Sequence, residues 1–280
     1  MPVIDAHIHI QPFHMMKPDV QATFWHRKDR AFFEAFAADP RALLRQMDDD
    51  GIERVGLINY VSPDVMGFTA EVNEWMMRYA SADPARLIPF GSVHPGYTTD
   101  PGGETDRVIE MGARALKVHP PHQVFRANAY LDGLPGLAEV YRRAEAAGVP
   151  VTIHTGTSVF PGARSRFGDP MDVDDVAIDF PKLKILLAHG GRPLWMEAAF
   201  FVVRRHPNVF LEVSGIPPAK LLEYFPRLEE LAHKTVWGTD WPSPGIRSMR
   251  QNVDQFLALP LGDASKRRIL YDNARAIWQP

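Results

Sequence analysis

The stretch IDAHIHI, residues 4 to 10, sets two imidazoles, His7 and His9, two positions apart in a β-prone run. In a strand, side chains alternate between faces, so Asp5, His7 and His9 share one face and Ile4, Ala6, Ile8 and Ile10 take the other. Two neutral imidazoles on one face are half of a metal site. Other apolar runs close on ionisable residues in the same way. ALKVHP carries Lys117 and His119, TIHTG carries His154, LLAHGG carries His189 and GTDWP carries Asp240. Taken singly, each has a bland explanation as a bonded core histidine, a snorkelling lysine or a turn cap. Together they describe one inward-facing cluster, because runs this apolar do not hold charged groups without partners.

Composition bounds what the cluster can be. The chain has 280 residues, 45% hydrophobic and 23% charged, with a formal net charge of -3. That balance gives no nucleic-acid footprint and no polybasic membrane patch. There is no cysteine, so disulfides, thiolate metal sites and a cysteine nucleophile are excluded, and any metal must be held by imidazole and carboxylate. No basic-then-apolar leader opens the chain and no apolar run approaches spanning length, which leads to the expectation of a cytoplasmic protein.

The elements that would position these residues can be read from the patterning. Eight strand-like runs stand at residues 3–10, 54–60, 87–93, 113–119, 149–155, 184–190, 209–215 and 235–241. Helix-like stretches alternate with them, among them DPRALLRQMDDDG, LPGLAEVYRRAEAAG, RPLWMEAAFFVVRRHP and PAKLLEYFPRLEELAHK, with DASKRRILYDNARAIW as the last. Several begin on acidic residues or proline and stop at glycine or proline, as helix ends should. This alternation predicts one (β/α)₈ TIM barrel over residues 1–280. A doubly wound open sheet competes poorly, for no Gly-rich phosphate loop follows the first strand. Residues 11 to 38 form the longest irregular piece and carry Phe13, Met15, Met16, Phe24 and Trp25. They are too apolar for a linker and read as a cap inserted after the first strand, over the barrel mouth. In such a barrel, reactive groups stand at the C-terminal ends of the strands, where this sequence puts its histidines.

With these motifs in this order, the chain resembles the amidohydrolase superfamily and, within it, the amidohydrolase-related branch that includes aminocarboxymuconate-semialdehyde decarboxylase, resorcylate-type decarboxylases, lactone hydrolases and hydratases. The resemblance runs from DAHIHI to the closing RRILYDNARAIW. It implies a divalent metal ion bound by His7, His9, His154 and Asp240, with His189 beside the metal-bound water or the substrate. It also assigns catalysis to Asp240 and His189. In binuclear members of the superfamily a carbamylated lysine ends strand four, so Lys117 and His189 are candidates for a second metal or for substrate contact. The branch is usually mononuclear, and one ion is expected here. His94 and His119 read as supporting or packing residues.

Three imidazoles and a carboxylate with an open position make a catalytic rather than a structural metal site, and zinc suits them best, with manganese or iron as alternatives. The ion makes hydroxide available at neutral pH and polarises a carbonyl. Hydrolysis of a lactone, ester or amide bond in a small carboxylated cyclic substrate is therefore expected first. The alternative is non-oxidative decarboxylation of an aromatic or unsaturated carboxylic acid, and a metal-binding protein without catalysis comes third. Arg164, Arg166 and Arg192, in the loops after the fifth and sixth strands, are candidates to anchor a carboxylated substrate, and decarboxylation asks in addition for a carboxylate held away from the metal. The expected partner is a small molecule, with neither nucleic acid nor membrane and with room for a homodimer.

Overall fold

The computed structural model describes residues 1–243 and 246–278. Its strands are β1 (Ile4–Ile8), β2 (Arg54–Leu57), β3 (Leu87–Gly91), β4 (Ala115–Val118), β5 (Val151–His154), β6 (Ile185–Ala188), β7 (Val209–Glu212) and β8 (Thr235–Val236). They pair in sequence order as one eight-stranded sheet, every pair parallel. β8 is short, but the chain beyond it continues alongside β1. Ala6 N–H donates to the Trp237 carbonyl at 3.0 Å, Asp240 N–H to the His7 carbonyl at 2.8 Å, and His9 N–H to the Trp241 carbonyl at 2.7 Å. These bonds close the ring into the predicted TIM barrel. The ladders are shorter than the apolar runs of the sequence, and residues just beyond them, among them His9, Tyr60, His119, His189 and Asp240, line the mouth.

Helices alternate with the strands and cover the barrel. The helix Pro40–Asp50 shows how local chemistry sets the limits: Asp39 caps it by accepting from Arg41 N, Pro40 fixes the first turn, and Gly51 ends it at φ 69°. Leu43 and Met47 of this helix are fully buried in the hydrophobic core. The stretch PAKLLEYFPRLEELAHK, expected as one helix, is two pieces, Pro218–Tyr224 and a 3₁₀ segment Leu228–Lys234. Pro226 is the cause, because it forces Phe225 out of helical conformation, to φ -129° and ψ 73°. A helix not expected from the sequence, Met249–Leu257, follows β8. Its buried face is Met249, Asn252, Val253 and Phe256, and the polar Asn252 masks the helical spacing of the apolar three. The last helix runs to Ile277 as expected, but through a π-helical turn at Arg268–Asp272.

Between β1 and Pro40 lie a 3₁₀ turn, Phe13–Met15, and two helices, Pro18–Phe24 and Arg30–Ala38. Phe13, Phe24, Phe33 and Phe36 are buried there. Phe33 and Phe36 pack edge-on to Trp241, with centroids 5.3 and 5.4 Å away, which seats the segment beside the closing strand as the expected cap. Among the described residues no helix is long and apolar enough to cross a membrane.

Gly56 on β2 marks the tightest inter-strand approach, since a Cβ there would stand 2.2 Å from the Ala6 carbonyl oxygen on β1. That oxygen belongs to backbone and cannot swing aside. Gly56→Ala should therefore destabilise the protein by about 1–3 kcal/mol or more, read as a lower denaturant midpoint. An unchanged midpoint would contradict this packing.

Candidate metal centre and its cavity

The ionisable residues singled out from the sequence meet at the C-terminal end of the barrel. His154 is the last residue of β5, and His189 follows β6 directly. Asp240 is set beside His7 by the closing hydrogen bonds to β1. Both His189 and Asp240 have left-handed backbone, each with φ 66°. A non-glycine residue bears a cost there, and the surrounding hydrogen bonds must over-determine the conformation. His189 is held through its Nδ1, which donates to the Ser214 carbonyl at 2.9 Å. Gly215 leaves room for the group opposite: a Cβ there would stand 2.5 Å from Arg192 Nη2 and 2.7 Å from Asp240 Oδ2.

At the centre, His7 Nε2 lies 3.3 Å from His9 Nε2 and 3.5 Å from Asp240 Oδ1, and His9 Nε2 lies 2.9 Å from the same oxygen. His7 Nδ1 donates to Glu212 Oε2 at 2.6 Å, so its Nε2 carries a lone pair. A lone pair aimed at a carboxylate oxygen is repulsive unless a cation stands between them. Donors around one tetrahedral ion at about 2.1 Å lie roughly 3.4 Å apart. The donor set of His7, His9 and Asp240 thus fits a divalent ion in both spacing and chemistry. His154, expected as the fourth ligand, lines the same cavity, its ring 4.6 Å from that of His189. Its buried Nε2 has no hydrogen-bond partner among the described residues, which leaves that atom free to coordinate.

Electrostatics agree with this reading. Burial holds His7, His154 and His189 well below the ordinary imidazole range, hence neutral, as ligation requires. Burial alone would raise the Asp240 carboxyl, but the hydrogen bond and charge of His9, with His7 and Arg192 nearby, hold it well below the usual carboxylate range. Burial pushes the Lys117 amine down, opposed by Glu212 and Asp240. Lys117 Nζ has no hydrogen-bond partner among the described residues.

These residues floor a cavity of about 340 Å³, large enough for a small ring. Arg192 stands on its wall, with Nη2 3.5 Å from Asp240 Oδ2. Arg164 and Arg166 are exposed and outside the cavity lining, and Arg166 lies over the Phe167 ring instead. His119 stacks between His122 and His154 at 3.6 and 3.9 Å, whereas His94 lies in a separate cavity. Glu212, Tyr60, His122 and Ser158 were not singled out from the sequence. Glu212 ends β7 as a carboxylate closing an apolar run, so the rule that found Asp240 would also have found it. The other three sit in unremarkable local sequence.

Residues 4–279 match the family model described as Amidohydrolase. The chain belongs to the amidohydrolase family. The amidohydrolase family is metal-dependent, and its enzymes act on small-molecule substrates. No curated protein matches the chain by sequence. Among solved structures, this amidohydrolase is similar to an uncharacterised TIM-barrel protein from Bordetella bronchiseptica (22% identity, 99% of this chain and 98% of that one, TM-score 0.77). It is also similar to 5-carboxyvanillate decarboxylase from Sphingomonas paucimobilis (19% identity, 99% of each chain, TM-score 0.65). A third is 5-carboxyvanillate decarboxylase from Novosphingobium aromaticivorans, complexed with manganese and 4-hydroxy-3-methoxy-5-nitrobenzoic acid (15% identity, 100% and 96% of the two chains, TM-score 0.65).

Because Glu212 orients His7 and makes it a better donor, Glu212→Gln should weaken divalent-metal binding by roughly 10–100-fold, measured by chelator competition. Equal affinity in the variant would remove Glu212 from the centre.

Proposed function

We propose that this amidohydrolase is a non-oxidative decarboxylase of a small aromatic or unsaturated carboxylic acid, working with one divalent ion held by His7, His9, His154 and Asp240. The observation that carries the reading is Arg192. Its guanidinium is on the cavity wall beside Asp240, and its buried Nε has no partner among the described residues. A planar fork of donors is suited to a carboxylate, and this is the holder that decarboxylation requires. Tyr60, Phe160 and the outer imidazoles of the stack, His122 and His154, line the cavity with flat rings. The two 5-carboxyvanillate decarboxylases of similar fold support the same chemistry. Hydrolysis, expected first from the sequence, is the weaker reading: a held carboxylate helps it only to bind a carboxylated substrate, whereas decarboxylation cannot proceed without one.

When bound, the ion would supply positive charge that draws electron density from a substrate oxygen. Arg192 would hold the substrate carboxylate and set its orientation. His189, neutral at rest and with Nδ1 committed to the Ser214 carbonyl, has Nε2 free to take a proton from solvent or from the substrate's own acid group and to deliver it. The proton passes to the ring carbon bearing the carboxylate. The carbon–carbon bond then breaks, its electron pair returns to the ring and carbon dioxide leaves. Asp240, kept ionised, balances the charge of protonated His189 and of Arg192.

The test is a panel of aromatic carboxylic acids, lactones, esters and amides offered to protein loaded with manganese or zinc. Carbon dioxide release from a ring acid is expected, and hydrolysis without any decarboxylation would overturn the proposal. His189→Asn should keep one ion per chain by elemental analysis while losing roughly 10²–10⁴-fold in turnover. Loss of the ion in that variant would make His189 a ligand instead.

A further inference from the structure

The wall of the cavity contains a hydrogen-bonded row whose polar groups the proposed chemistry does not use. Tyr60 follows β2, His122 is in the short helix Pro120–Gln123 after β4, and Ser158 is in the loop after β5. The Tyr60 hydroxyl lies 3.0 Å from His122 Nδ1, and His122 Nε2 lies 2.6 Å from Ser158 Oγ. The Phe160 N–H donates to the same Ser158 oxygen at 3.3 Å. All of Tyr60, His122, Ser158 and Phe160 line the cavity.

The direction of the protons follows from burial. Tyr60 and His122 are 2% and 3% exposed. Burial, with the charges of His9 and Lys117, pushes His122 down to about 3, so its ring carries one proton. Among the described residues the Tyr60 hydroxyl has only His122 as a partner. If Nδ1 bore the ring proton, the O–H of the 2%-exposed Tyr60 would have no acceptor among the described residues, which costs on the order of 1–3 kcal/mol. Tyr60 therefore donates to Nδ1, and the ring proton is on Nε2, donating to Ser158 Oγ. Ser158 Oγ then accepts from both His122 and Phe160, and its own proton has only the cavity to face.

We infer that Ser158 is a specificity-determining residue whose hydroxyl, oriented by His122 and Tyr60, donates to an anionic oxygen of the substrate, a carboxylate or a phenolate. The inference rests on the reading of the substrate as a small ring acid. Accepting two donors makes the Ser158 hydroxyl a stronger donor itself. Tyr60 and His122 are positioning residues that act through it.

Two measurements test this. Nitrogen-15 spectra of the protein as purified, with His122 assigned through His122→Gln, should show the Nε2–H tautomer, and Tyr60→Phe should shift the population towards Nδ1–H. A wild-type Nδ1–H tautomer would overturn the inference whatever reaction the protein performs. Calorimetry on the zinc-loaded protein then uses benzoate and 4-nitrophenolate as probes. Ser158→Ala should weaken one or both by roughly 10–100-fold, and Ser158→Thr, which keeps the hydroxyl, should restore binding to within a few fold. Weakening of benzoate alone assigns the carboxylate, and of 4-nitrophenolate alone the phenolate. Equal binding in Ser158→Ala, or no binding of either anion to wild type, overturns it. Carbon dioxide release by wild type in that case would show that the decarboxylase reading survives without it.

Discussion

The structure depends most on the seam between the first and last strands, and within it on the carboxylate of Asp5. That carboxylate is fully buried and accepts from His7 N–H at 3.1 Å, Thr239 N–H at 2.9 Å and Thr239 Oγ1 at 2.6 Å. It ties residues 234 apart in sequence and fixes the turn in which Asp240 takes its left-handed conformation. The same seam brings the Asp240 carboxylate within 2.9 Å of His9. Barrel closure brings the Asp240 carboxylate to the His7–His9 pair, so the full donor set exists only where the ends of the chain meet.

A second constraint is electrostatic. The barrel end buries Glu212, Lys117 and Asp240 with a crowd of imidazoles. Burial keeps the imidazoles neutral, so their lone pairs converge without charge to offset one another. Isolated buried charge costs several kcal/mol, which pairing or metal coordination offsets. The unpartnered Nε2 of His154 and the lone pair of His7 Nε2 aimed at Asp240 are what such a pocket looks like when its geometry is arranged around a cation. The metal dependence of the amidohydrolase family accords with that.

Much of this was legible in the sequence. Period-two alternation and the ionisable ends of the strands gave the barrel, its mouth and the convergence of His7, His9, His154, His189 and Asp240, because each of those signals is local. What was not legible came from contacts between distant segments. Tyr60 and His122 are 62 positions apart and meet only through the barrel. The choice of Arg192 over Arg164 and Arg166 is likewise a matter of which loop turns inward: the Thr157 N–H donates to the Arg192 carbonyl, tying the two loops together. The helix Met249–Leu257 was hidden because Asn252 occupies a position its spacing reserves for an apolar residue. The shift from hydrolysis to decarboxylation has the same origin, since it turns on where one guanidinium lies.

The central claim is that the seam creates a cation site from His7, His9 and Asp240. Anomalous scattering at the metal edge, from crystals of the protein loaded with zinc or manganese, addresses it most directly. A single strong peak is expected, bonded to His7 Nε2, His9 Nε2, His154 Nε2 and an Asp240 carboxylate oxygen, at roughly 2.0–2.2 Å for zinc. A peak elsewhere in the molecule, or none in a crystal soaked to saturation, would contradict it.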